Sequence, residues 1–165
     1  MRLNPATGLL RHARQVLSPN HNERPPGTEI SLLVIHNITL PPGKFGSRYI
    51  DAFFSNQLNP SEHPYFAQIV DTQVSAHCLI SRSATITQYV PFSKRAWHAG
   101  ASFFGNLNDC NNFSIGIELE GTDEVPYTEA QYGRLSRLIK LLMKTYPAIQ
   151  PDRIAVQKIL NEIIF

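Results

Sequence analysis

FSIGIELE, residues 113–120, reads as a β-strand. Phe113, Ile115, Ile117 and Leu119 fall on one face of it; Ser114, Gly116, Glu118 and Glu120 fall on the other. Upstream, ISLLVIH (30–36) is an apolar run whose length and β-branched content favour a buried strand. It ends on His36, which puts an imidazole at a sheet edge, where the sites of α/β folds tend to lie. VSAHCLI (74–80) and TITQYV (85–90) read as two more strands around a tight SRSA turn. TEAQYGRLSRLIKLLMKTY (128–146) reads as a helix. Thr128 can cap it, Leu135, Leu138, Ile139 and Leu142 form its apolar face, and Pro147 stops it. IDAFFSNQL (50–58) is a shorter helix, and residues 5–17 suggest another on Leu9, Leu10, Ala13, Val16 and Leu17. The order of elements implies the α/β class, with a mixed central sheet flanked by helices.

At 165 residues the chain has the length of a single domain, and 42% apolar residues suffice for a real core. Charged residues make up 17%, which argues against disorder. The formal net charge of +2 is weak for a nucleic-acid binder, so no nucleic-acid partner is expected. No apolar run is long enough to span a membrane, and the opening residues lack the apolar core of a secretion signal. The two cysteines, Cys78 and Cys110, do not make a disulfide framework in a chain this long. Reduced thiols and a cytoplasmic home are expected.

Short motifs carry little chemistry. There is no H-E-x-x-H, no CxxC pair, no Walker loop and no G-x-S-x-G elbow. His77 and Cys78 are neighbours on a strand, so their side chains point to opposite faces and do not pair. His77 reads as a packed, hydrogen-bonded residue. Two residues stand out: His36, which ends a buried strand before a Gly/Pro loop, and Glu118, on the polar face of an otherwise apolar strand. Each has a plain alternative. His36 can be a strand-end histidine bonded to a carbonyl, and Glu118 a solvated carboxylate. Trp97-His98 can line a pocket or cover the core edge.

Longer segments are more specific. SLLVIHNITLPPGKFG, HPYF, VSAHCLISRSATITQYVPFSKRAWHAG and CNNFSIGIELEGTD…YTEAQY closely resemble the AmpD-type 1,6-anhydro-N-acetylmuramyl-L-alanine amidases. These belong to the zinc-dependent type 2 amidases, which share a fold with peptidoglycan recognition proteins. The resemblance covers roughly residues 5–155. It implies a cytoplasmic, monomeric enzyme of cell-wall recycling. Such an enzyme cuts the amide between anhydro-N-acetylmuramic acid and L-alanine of a muropeptide. By position, His36 matches the family's first zinc ligand and Glu118 its catalytic carboxylate. Asn37, Tyr65, Trp97 and His98 match positions near the substrate groove.

The likeness breaks after PDRIA (151–155). The family continues with Gly-His and, further on, R-K-x-D-P-G. That His and Asp are its second and third zinc ligands, and the Lys helps stabilise the oxyanion. Here the chain reads VQKILNEIIF, with Gln157 at the expected His and Phe165 at the expected Lys. Residues 156–165 are therefore expected to be an aberrant or truncated end, through a frameshift or as a natural tail with helix-compatible spacing. One imidazole holds zinc weakly; a millimolar site is worth about 4 kcal/mol. Impaired Zn2+ binding follows as an expectation. The alternatives to an active amidase are a catalytically inactive muropeptide-binding module and a truncated remnant.

Overall fold

The computed structural model describes residues 1–156. Strands β1 (Arg14–Gln15), β2 (Leu32–Ile38), β3 (Cys78–Ile80), β4 (Ile86–Gln88), β5 (Ser114–Glu120) and β6 (Ile154–Val156) form one sheet. Their order across it is β6-β2-β5-β3-β4-β1. β5 runs parallel to β2 and to β3, β6 parallel to β2, and β1 parallel to β4, while β3 and β4 are antiparallel. The sheet is mixed, as the sequence implies. Helix α3 (Glu129–Thr145) covers one face; the short helices α1 (Tyr49–Phe54) and α2 (Phe66–Ile69) pack on the other.

Alternation along the central strands sorts the core. Leu33 and Ile35 of β2, Cys78 and Ile80 of β3, and Ile115, Ile117 and Leu119 of β5 join one cluster with Leu138 and Leu142 of α3. On the other face, Leu79 packs with Ile50, Phe53, Phe54 and Phe66 of α1 and α2. Leu32 and Val34 of β2 meet Ala99, Cys110 and Phe113 there. Every residue of β5 is buried, as expected of a parallel strand covered on both faces. The polar face of FSIGIELE is therefore interior, and Glu118 is not a solvated carboxylate. Thr128 caps α3 in a reciprocal capping box with Gln131. Gln131 also donates from Nε2 to the carbonyls of Ile80 and Glu120, tying the helix to the ends of β3 and β5.

Four expectations need correction. Phe113 does not share the face of Ile115: it ends a 3-10 turn before β5 and packs with Leu32 and Val34 on the opposite side. Residues 5–17 are not a helix: Arg2–Asn4 pairs antiparallel with Leu9–Arg11, and Arg14–Gln15 joins the sheet edge. Gly8, at φ +69°, makes the turn, and buried Gln88 fixes the arm by accepting from Leu10 N and donating to the Gly8 carbonyl. A long-range side chain thus overrides the apolar spacing. The helix expected over 50–58 ends at Phe54, because Asn56 turns into the left-handed region at φ +58°. The strand expected over 74–80 is regular only from Cys78, because Ser75 N is bonded to the Trp97 carbonyl. Helix α2 and strand β6 are too short to leave a periodic signature. The helix-like tail, with Gln157 and Phe165, lies outside the described residues.

Candidate active site

Parallel register sets His36 of β2 directly beside Glu118 of β5. Both belong to the face opposite α3, because their neighbours Ile35 and Ile117 point under that helix. Both sit near the carboxyl ends of their strands, the position where α/β sheets open to ligands. His36 is buried, and His98 is buried against it with ring centroids 5.0 Å apart in an edge contact.

A chain of hydrogen bonds holds the imidazole pair. His36 Nε2 and His98 Nδ1 lie 2.9 Å apart, and His98 Nε2 lies 3.0 Å from Ser114 Oγ. Buried Asn111 fixes the His98 backbone by accepting from the N–H of His98 and of Ala99. The site needs Gly116. A Cβ on that strand residue would fall 2.4 Å from His98 Cγ, so only glycine lets the ring lie over β5. Burial, followed by the neighbouring His36 and His77, holds His98 well below the usual imidazole range, so its ring is neutral at pH 7. His77 plays the packed role. Its Nδ1 accepts from Gly116 N, and its Nε2 meets the Lys94 carbonyl at 3.1 Å. Burial and then the Arg24 guanidinium push it down to about 3.

Glu118 and His98 line a cleft of about 550 Å³ together with Asn37, Tyr65, Thr122 and Asp123. Glu118 is 7% exposed, and its Oε2 has no hydrogen-bond partner in the structure. Burial alone pushes its carboxyl up to about 8. Asn37 donates from Nδ2 to Asp123 Oδ1 across the strand ends at 2.9 Å. Apolar wall comes from Phe53, Phe54, Ile69 and Val74. Trp97 is turned away: its Nε1 donates to Asn22 Oδ1, and it does not line the cleft. Glu120, on the same strand face as Glu118, is occupied by structure. Its carboxylate accepts from the backbone N–H of Gly46 and of Arg82, which fixes the loop after β2.

The structure thus brings His36, Glu118 and His98 together, with Asn37 and Tyr65 at the cleft wall. Sequence reading placed His98 near a groove but not on His36, and it missed Ser114, Asn111 and Asp123. One signal was available: a glycine inside a strand marks the close approach of another group.

A catalytic zinc takes three protein ligands and leaves a position for water. The described residues do not fit such a centre: among them no three His, Cys, Asp or Glu side chains group as a ligand set. Cys78 and Cys110 are buried free thiols, and Cys78 packs on the α3 face, away from the site. Glu118 presents one orphaned carboxyl oxygen beside a cleft of mixed polar and apolar lining.

Comparison with known proteins identifies the family. The family described as N-acetylmuramoyl-L-alanine amidase matches residues 26–162. The 1,6-anhydro-N-acetylmuramyl-L-alanine amidase AmpD of Haemophilus influenzae is 56% identical over 147 residues, covering 89% of this chain and 80% of that protein. AmpD of Escherichia coli K12 is 54% identical over 142 residues, 86% of this chain and 78% of its own. A crystal structure of a selenomethionine derivative of AmpD superposes with a TM-score of 0.94 at 49% identity, covering all of this chain and 90% of that one. The Escherichia coli amidase AmiD, solved with anhydro-N-acetylmuramic acid-L-Ala-D-γ-Glu-L-Lys, superposes at 0.53 with 26% identity, over 92% of this chain and 52% of that one. Fold and matched length converge, and the chain belongs to the N-acetylmuramoyl-L-alanine amidase family.

Proposed function

We propose that this chain hydrolyses the amide between the lactyl group of anhydro-N-acetylmuramic acid and L-alanine, recycling muropeptides in the cytoplasm. The observation that carries the proposal is Glu118: a buried carboxyl, poised near neutral pH, with an unpartnered oxygen in a cleft of small-ligand size. The reaction forms a bond from water oxygen to the amide carbonyl carbon and breaks the carbon–nitrogen bond. Glu118 takes the proton of the attacking water and delivers it to the departing amine of L-alanine. A carboxyl held near 8 both takes and gives a proton at physiological pH. In this reading Asn37, Tyr65 and His98 hold the muropeptide along the cleft, and Trp97 supports its rim from outside. His36 is the residue that would meet the zinc implied by the resemblance. The described residues do not complete a ligand set for that ion. The whole of residues 1–165 is proposed to act as one amidase domain and as a monomer.

The test is turnover of anhydro-N-acetylmuramyl tripeptide, followed by mass spectrometry. Glu118→Gln is expected to lower kcat by about 10² or more with KM little changed, the usual scale for a lost general base. Equal kcat in both proteins would overturn the assignment. A second reading, muropeptide binding without turnover, is favoured by the incomplete ligand set. It is the correct one if the substrate binds saturably but no product forms.

A further inference from the structure

Away from the amidase cleft, two grooves meet at Arg11 on the flank of the sheet. One, of about 430 Å³, is lined by Arg11, His12, Arg14, Ser83, Thr85 and Arg134 among others. Its neighbour, of about 530 Å³, is lined by Arg2, Arg11, Leu141, Lys144 and Thr145 among others. Neither groove shares a lining residue with the amidase cleft. Among the described residues, five cationic side chains line the pair, and no Asp or Glu does. That concentration is notable in a chain whose net charge is only +2, and the amidase cleft reverses it, with Glu118 and Asp123 and no Lys or Arg.

The cations are not equivalent. Arg14 is already paired with Asp51 at 2.7 Å. Arg11, Arg134 and Lys144 make no ion pair with any described residue. Arg134 Nε is buried and has no hydrogen-bond partner among the described residues. A buried donor left without an acceptor is costly, and an anion in the groove would relieve it. Guanidinium groups present forked donors that match phosphate oxygens, and the Ser83 and Thr85 hydroxyls add neutral donors beside them. Arg11 lines both grooves, so a ligand spanning them places anionic groups on either side of it.

We propose that the paired grooves around Arg11 and Arg134 bind a soluble molecule carrying a diphosphate. Each groove falls within the ordinary size range of small-molecule sites, which favours a compact soluble ligand over a flat lipid surface.

The experiment is calorimetric titration of the full chain with inorganic pyrophosphate, with orthophosphate in parallel. Saturable one-to-one binding of pyrophosphate, tighter than orthophosphate and weakened by added salt, is expected. Arg134→Gln and Arg11→Gln should each weaken it about tenfold or more, with unchanged circular dichroism and unchanged amide hydrolysis. Both arginines lie outside the amidase cleft, so the readout is independent of the proposed catalysis. No saturable heat up to about 10 mM, or undiminished binding in both variants, would overturn the proposal. So would sedimentation with phosphatidylglycerol vesicles in the absence of pyrophosphate binding, which would identify the face as a lipid-contacting surface.

Discussion

Glu118→Gln is expected to stabilise the protein as pH rises, and the size of the gain follows from burial. The folded carboxyl sits at about 8, against an ordinary 4.5, because its environment resists the charge. Between those values the folded state keeps a proton that the unfolded state has lost. Stability therefore falls with increasing pH across that window, and above about 8 the full cost is present. Glutamine has the same shape and carries no charge, so the variant escapes this slope. At about 1.4 kcal/mol per pH unit, the full cost is on the order of 5 kcal/mol. About 3 to 4 kcal/mol of that accrues between pH 5 and pH 8. The assay is urea unfolding of both proteins at intervals across that range, with chelator present throughout. Buried histidines are common to both proteins and largely cancel in the difference. The gap in favour of the variant should widen steadily with pH and level off above 8. Parallel stabilities across the range would refute the reasoning, showing that Glu118 ionises in the folded state without penalty.

Gly116→Ala would place a methyl 2.4 Å from the His98 ring, so a loss of about 1–3 kcal/mol and displacement of His98 are expected. Gly133→Ala, in α3 with nothing within 4 Å of the added carbon, should instead gain up to about 1 kcal/mol, both read by urea unfolding. Arg24 donates to the carbonyls of Phe92, Asn111, Asn112 and Ser114, so Arg24→Met should cost about 3 kcal/mol or more. That corresponds to a fall in Tm of about 6–12 °C, readable by calorimetry. His77→Leu should destabilise at pH 7, where Gly116 N loses its acceptor. Folded His77 stays unprotonated down to about 3, so the wild type loses stability as pH falls below 6.5. The gap between the two proteins should therefore narrow by pH 4.5 in urea titrations.

Much of this architecture is legible in the residues themselves. Alternation in SIGIELE and the apolar run before His36 identify the two central strands, and the Thr128 cap and Pro147 bracket α3. What the sequence hides is set by long-range contacts. The N-terminal arm reads as helical by apolar spacing, yet Gln88, distant in the chain, holds it as a hairpin. The polarity of Glu118 suggests solvent, but the covering helices α1 and α2 come from elsewhere in the chain and enclose it. His98 reaches His36 only because Gly116 lacks a side chain, a fact about space rather than pattern. The grooves at Arg11 gather residues from three separate segments, each unremarkable alone.

The central claim is amide hydrolysis at the cleft built around Glu118. It is tested most directly by incubating the full chain with anhydro-N-acetylmuramyl-L-alanyl peptide in oxygen-18-labelled water and analysing the products by mass spectrometry. The expected result is free peptide with an unlabelled L-alanine amine, and a lactyl carboxylate carrying one heavy oxygen, with both formed about 10² or more slower by Glu118→Gln. Intact substrate after exhaustive incubation, or labelled product formed equally by the variant, would contradict the account.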